Sequence, residues 1–181
     1  MIGDAQPNAA HHALAQLERA GILHTIITQN IDGLHQRAGS THVAEVHGHV
    51  REATCMHCYH TVSTEKYLPE FINDGVVPYC PRCGGILKPN ITLFGEALPA
   101  QALLAAVQAV RRCDVMLVAG SSLEVAPASN LPELALAQQA RLIIVNLGAT
   151  YLDASADVLI HDDVAVALPH IVARLDLPIV N

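Results

Sequence analysis

Two runs in the second half of the chain, residues 114–119 (DVMLVA) and 141–146 (RLIIVN), are apolar almost from end to end. A strand that can show neither face to water must lie in a sheet covered on both sides. That condition selects a parallel sheet with helical crossovers. The surrounding residues meet it: 100–112 and 131–140 carry helical spacing, 158–160 reads as a further short strand and 164–175 as a closing helix. Upstream, Pro7 and Asn8 open a helix with Ala10, Leu14 and Leu17 on one face and Gly21 at its end. Residues 22–28 read as a buried strand, 34–38 as a short helical piece and 43–54 as short strands around Gly48. The expected fold is α/β, a Rossmann-like parallel sheet with helices on both faces. Ligands of such sheets lie beyond the carboxyl ends of the strands. The polar segments 29–32, 120–122 and 146–148 each follow a strand directly, so they are expected to converge on one crevice.

Between these halves the composition shifts to polar residues, His, Tyr and Pro with little apolar periodicity. Four of the five cysteines fall here, as Cys55/Cys58 and Cys80/Cys83, separated by 21 residues. Each Cys-x-x-Cys turn places two thiolates on one side of a metal, and two turns complete a tetrahedron. Four thiolates close the shell, so a zinc ion here is expected to be structural. His57 and His60 lie near enough to replace a cysteine but are not needed. Cys113 stands apart and reads as a small buried residue at a strand entrance. The expected organisation is a Rossmann-like domain of residues 1–48 and 89–181, interrupted by a zinc-ribbon-like module of residues 49–88. The formal charge of -7 argues against nucleic acid as a partner. No apolar stretch approaches the roughly 20 residues that a membrane span needs. The first residues lack a signal-peptide pattern, and the expected location is the cytoplasm.

At this point the motifs resemble those of a known family, the sirtuins. Thr28-Gln29-Asn30-Ile31-Asp32-Gly33-Leu34-His35 with Ala38-Gly39, then Glu45-Val46-His47-Gly48, are similar to its signatures. So are residues 88–96 (KPNITLFGE), residues 120–128 (GSSLEVAPA) and residues 142–147. They occur in the family's order from Pro7 to near the C-terminus. The resemblance implies an NAD-dependent protein-lysine deacylase, which transfers an acyl group to ADP-ribose and releases nicotinamide. His47 is the implied base, a role that suits an imidazole because it titrates near neutrality. Asn30 and Asp32 are implied to hold the nicotinamide carboxamide, with Ile31 beside them and Gln29 on the ribose. Gly120, Ser121 and Ser122, then Asn146, Leu147 and Gly148, with Val164, are implied for the rest of the cofactor. Ser121 stands where relatives commonly carry threonine. Phe94, Gly95 and Glu96 on one side and Val125 on the other are implied to flank an acyl-lysine peptide that pairs as a strand. Ile91 and Leu93 in the same run read as ordinary core. The Asn30–Gly33 turn also has a bland reading as simple Asx chemistry.

One part of the family pattern is missing. A first strand, a Gly-Ala-Gly-x-Ser loop and a Pro-Asp-Phe-Arg stretch would precede Pro7, and none is present. Such a loop cradles phosphates with backbone amides. The expectation is an N-terminally truncated form of an active enzyme, with these 181 residues alone inactive or weak. Two other readings compete: a zinc-stabilised peptide-binding module without turnover, and a protein ADP-ribosyltransferase working in the same crevice.

Overall fold

The computed structural model describes residues 5–175 of the chain. In chain order the elements are α1 (Ala9–Arg19), β1 (Ile26–Thr28), α2 (Leu34–Arg37), β2 (Val43–Glu45), β3 (Gly48–Cys55), β4 (Thr61–Ser63) and α3 (Leu68–Asp74). They continue with β5 (Leu87–Ile91), α4 (Ala100–Val110), β6 (Val115–Ala119), α5 (Leu131–Ala137), β7 (Arg141–Val145), β8 (Val158–Ile160) and α6 (Val164–Val172). Asn8 caps α1 reciprocally: its side chain accepts the His11 amide and the His11 ring accepts the Asn8 amide.

The parallel strands form two sheets. One is β1 with β2, Ile26 opposite Val43. The other is β6-β7-β8, with Val115 opposite Arg141 and Ile143 opposite Val158. Alternate residues of β6 and β7 face opposite layers, as the period of a strand requires. Leu117, Ala119, Ile143 and Val145 meet Ala10, Ala13 and Leu17 of α1 and Leu168 and Val172 of α6. Val118, Leu142 and Ile144 face the other way, toward Leu123 and Leu152, with Leu136 of α5 packed beside them. Helices therefore cover both faces, as the apolar runs require. Ala106 and Val110 of α4 and Leu131 and Ala135 of α5 also meet Ile27, Ala44 and Val46, which joins the two parallel sheets through a shared core.

Among the described residues no strand hydrogen-bonds β1 or β2 to β6. The third sheet is antiparallel, in the order β4-β3-β5, with Glu52 opposite Ser63, Cys55 opposite Leu87 and Gly48 opposite Ile91. No helix among the described residues is long and apolar enough to cross a membrane.

Several elements are shorter than their sequence patterns. The strand expected over residues 22–28 begins at Ile26, because the amides of Ile22 and Leu23 fold back on the Leu17 carbonyl and close α1. Likewise α5 stops at Ala137, where Gln139 takes a φ of 65° and reverses the chain. Within the cysteine-rich stretch, β4 and α3 lie where no element was expected. Leu68, Phe71 and Ile72 of α3 do stand at helical spacing, but a run of seven residues is too short for that spacing to mark a helix.

Candidate functional site

Residues 29–32, His47 and residues 91–94 line a cavity of about 480 Å³. Thr28 ends β1 and its hydroxyl accepts the Asn30 amide at 3.1 Å, which turns the chain. Asp32 then accepts the Leu34 amide on Oδ1 at 2.9 Å and starts α2. The Val50 amide pins the turn from the side through the Ile31 carbonyl, at 3.1 Å. The Asx turn is thus real, and it commits one oxygen of Asp32 while the residue still lines the cavity. Gln29 lines it too, but its amide also donates to the Val125 carbonyl at 3.2 Å, 96 residues away.

His47 occupies the bend between β2 and β3. Gly48 follows with a φ of 76°, and a Cβ there would overlap the Asn90 carbonyl oxygen. Only glycine allows β5 to run this close. The Thr92 amide donates to the His47 carbonyl at 2.9 Å, which ties the bend to the opposite cavity wall. His47 Nδ1 lies 3.2 Å from the Gln29 carbonyl oxygen. A carbonyl oxygen only accepts, so Nδ1 is the donor in this bond, and in the neutral ring the lone pair lies on Nε2.

Polar groups buttress the turn from behind. Arg51 grips Glu45 with both guanidinium ends, at 2.7 and 2.5 Å. Burial opposes ionisation of Glu45, yet the Arg51 hydrogen bonds and charge outweigh it and hold the carboxyl below its usual range. The Arg51 guanidinium lies against Gly33, where a Cβ would meet Nη1 at 3.0 Å. The rings of His11 and His35 stand 4.8 Å apart, and burial pushes both imidazoles down.

The remaining expected cofactor residues gather at a second place. Gly120 follows β6 with a φ of 60°, and its open side faces Val164 at the start of α6. Ser121 Oγ accepts the Leu123 amide at 3.3 Å, and Ser122 continues the same turn. After β7, Asn146 donates to the Gly148 carbonyl at 2.8 Å, and its own carbonyl faces His161 Nδ1 at 3.2 Å; Leu147 is 73% exposed. None of these residues lines the cavity around His47. Among the described residues β1 and β6 lie in separate sheets. The hydrogen bond from Gln29 to Val125 spans between them.

Of the residues expected at the peptide edge, Phe94 is fully exposed at a loop apex, Gly95 has a φ of 88°, and Val125 is partly exposed. Glu96 instead turns its carboxylate onto its own loop. Ile91 and Leu93 are not core: both line the cavity, and Leu93 is 52% exposed. Thr92 also lines it and went unremarked in the sequence, although it lies inside the KPNITLFGE run that signalled the region.

The four paired cysteines come together with all Sγ atoms within 4.8 Å of one another. Cys55 and Cys83 are 3.5 Å apart and Cys58 and Cys80 are 3.7 Å apart, far beyond a disulfide. A tetrahedral zinc with sulfurs at about 2.3 Å sets S···S edges of about 3.8 Å, so the cluster fits that ion. The amides of Cys58 and His57 point at the Cys55 sulfur at 3.4 Å and hold its thiol down at about 6. His57 and His60 are exposed and outside the cluster. Cys113 is partly buried and donates to the Val110 carbonyl.

Known proteins share this arrangement. The sequence pattern described as the Sir2 family matches residues 1–127. The "NAD-dependent protein deacylase 2" of Archaeoglobus fulgidus is 45% identical over 172 residues, covering 94% of this chain and 68% of that protein. The "NAD-dependent protein deacetylase" of Thermodesulfovibrio yellowstonii is 42% identical over 170 residues, covering 94% of this chain and 66% of that protein. The chain therefore spans about two thirds of the length of these curated relatives. Among solved structures, Sir2Tm bound to a propionylated peptide superposes with a TM-score of 0.89 at 41% identity, covering 95% of this chain and 72% of that one. Sir2Af2 bound to a myristoylated histone peptide gives 0.87 at 45% identity, covering 93% and 72%. By sequence pattern, relatives and fold together, the chain belongs to the Sir2 family, the sirtuins.

Proposed function

We propose that this chain carries the catalytic half-site of an NAD-dependent protein-lysine deacylase, whose reaction moves the acyl group from lysine to ADP-ribose and frees nicotinamide. The observation that carries the reading is His47: its Nδ1–H is held by the Gln29 carbonyl, which in the neutral ring puts the lone pair on Nε2, and the residue shares a cavity with Asn30 and Asp32. In that form the imidazole can take a proton from a ribose hydroxyl. The Asn30 side-chain amide offers a donor and an acceptor, and Asp32 offers its second oxygen, a set that suits a carboxamide. Gln29 and Ile31 complete that wall. Gly120, Ser121, Ser122, Asn146, Leu147, Gly148 and Val164 are assigned to the far end of the dinucleotide. NAD fits the acceptors and amides exposed beyond β6 and β7, where parallel sheets bind nucleotides.

Phe94, Gly95, Glu96 (through its backbone) and Val125 are assigned to the acyl-lysine peptide, supported by peptide complexes of the two solved relatives named above. Cys55, Cys58, Cys80 and Cys83 are assigned to one structural zinc. The module of residues 49–88 and the Rossmann-like remainder, 1–48 and 89–181, are kept as the domain division. The location kept for this chain is the cytoplasm. The two competing readings, a peptide-binding module and an ADP-ribosyltransferase, are not favoured by relatives named for deacylation.

The test is nicotinamide release from NAD with and without an acetyl-lysine peptide, read in a version extended at the N-terminus by a sirtuin glycine-rich loop. Release is expected only with peptide, and His47→Ala is expected to abolish it. Undiminished release by His47→Ala overturns the assignment.

A further inference from the structure

Residues 91–94 form one wall of the cavity, and a single carboxylate oxygen sets the shape of the loop that continues from them to residue 96. Glu96 Oε2 accepts the Leu93 amide at 2.9 Å and the Lys88 ammonium at 2.9 Å. The same Lys88 Nζ donates to the Ile91 carbonyl at 2.9 Å, and the Glu96 amide closes on the Leu93 carbonyl at 3.0 Å. Both backbone polar groups of Leu93 are therefore occupied inside the loop. Phe94 and Gly95 at the apex lie outside this ring of bonds. On the other flank, the Thr92 amide is bonded to the His47 carbonyl at 2.9 Å. The loop is thus fixed at both ends: to the His47 bend by Thr92, and to β5 by Lys88 through Glu96.

We propose that Lys88 and Glu96 act as a positioning pair for the peptide substrate. They hold the loop so that the backbone at Phe94 and Gly95 is presented to an extended acyl-lysine peptide, and so they govern peptide affinity but not nucleotide affinity. The inference rests on the deacylase reading above. Glu96 is then a residue that works through its neighbours, and its carboxylate does not contact the peptide. An isolated surface ion pair adds little. Here one oxygen collects an ammonium and a backbone amide, and the ammonium collects a second backbone group, which makes a charge-assisted network.

The experiment uses the 181-residue chain with two readouts. Hydrogen exchange at the Leu93 amide reads the latch itself, and fluorescence anisotropy of a labelled acetyl-lysine peptide reads the consequence. Lys88→Met keeps the aliphatic stem and removes the donor; Glu96→Gln keeps an acceptor but removes the charge. Leu93 exchange is expected to quicken about tenfold in either variant, and peptide binding to weaken about tenfold. Lys88→Arg is expected to restore part of both, while ADP-ribose affinity stays unchanged throughout. Unaltered exchange in both variants overturns the latch. Faster exchange with unaltered peptide affinity overturns the positioning role, as does an equal loss of ADP-ribose affinity. If the unsubstituted chain binds no peptide, the same measurements are made on the N-terminally extended version, where absent binding overturns the positioning role; nicotinamide release decides the deacylase reading separately.

Discussion

Two glycines with almost the same backbone angle should respond very differently to a methyl group. Gly48 has a φ of 76° and Gly75, at the end of α3, a φ of 69°. An added Cβ at Gly75 meets nothing within 4 Å, whereas at Gly48 it overlaps the Asn90 carbonyl. Gly75→Ala therefore carries only the left-handed backbone cost of an L-residue, about 1–2 kcal/mol. Gly48→Ala carries the same cost plus displacement of a strand backbone that cannot rotate away as a side chain would. Overpacking of that kind adds about 1–3 kcal/mol, for a total of about 2–5 kcal/mol. For a domain of this size each kcal/mol moves the melting midpoint by about 2–4 °C. The expected drops are about 5 °C for Gly75→Ala and about 10 °C for Gly48→Ala, followed by circular dichroism at matched concentration. The Thr92 amide should also exchange faster in Gly48→Ala, because Asn90 is two residues away. Equal drops for the two variants would refute the claim that close approach of β5, and not φ alone, demands glycine at the first residue of β3.

Three further outcomes are expected. Purified without chelator, the chain should carry one zinc per molecule by atomic absorption, and Cys80→Ser should lose both the metal and the antiparallel sheet's exchange protection. Burial opposes ionisation of Glu18, but bonds from Thr41 and His42 overcome it and hold the carboxyl down at about 2. Its folded-state pKa is depressed, so its stabilisation is present above the unfolded value near 4.5 and fades as pH falls toward 2; the stability gap between the chain and Glu18→Gln should close over that window in urea titrations. Asn8→Ala removes the α1 cap and should cost about 1 kcal/mol, a loss that Asn8→Asp largely avoids.

The parallel core was legible because β6 and β7 are apolar on both faces, and that pattern has no other comfortable home. The cysteine cluster was legible for a similar reason: two Cys-x-x-Cys turns leave few alternatives to a metal. What escaped was geometry decided by hydrogen bonds. Nothing in the letters says that Ile22 and Leu23 return to the Leu17 carbonyl and shorten β1. Nor do they say that Leu93, apolar and inside an apolar run, stands half in water against the cavity. Glu96 shows the limit most clearly: its place beside Phe94 and Gly95 was legible, but the engagement of its carboxylate by Lys88 and Leu93 was not. The separation of β1 and β6 into two sheets was likewise unreadable, since strand order is a property of pairing between distant segments and is not encoded in any one of them.

The pairing of β3 with β5 has a mechanical meaning. At one end Cys55 sits opposite Leu87 within the sulfur cluster; at the other Gly48 sits opposite Ile91, next to His47. The eight residues of β3 extend about 23 Å between those ends. A metal held by the four cysteines would work as a remote splint. It would touch no reactant, yet by keeping two strands from splaying it would preserve the spacing of an imidazole some 20 Å away. Demetallation should then read as lost turnover through slackened alignment, with every reacting group still chemically intact.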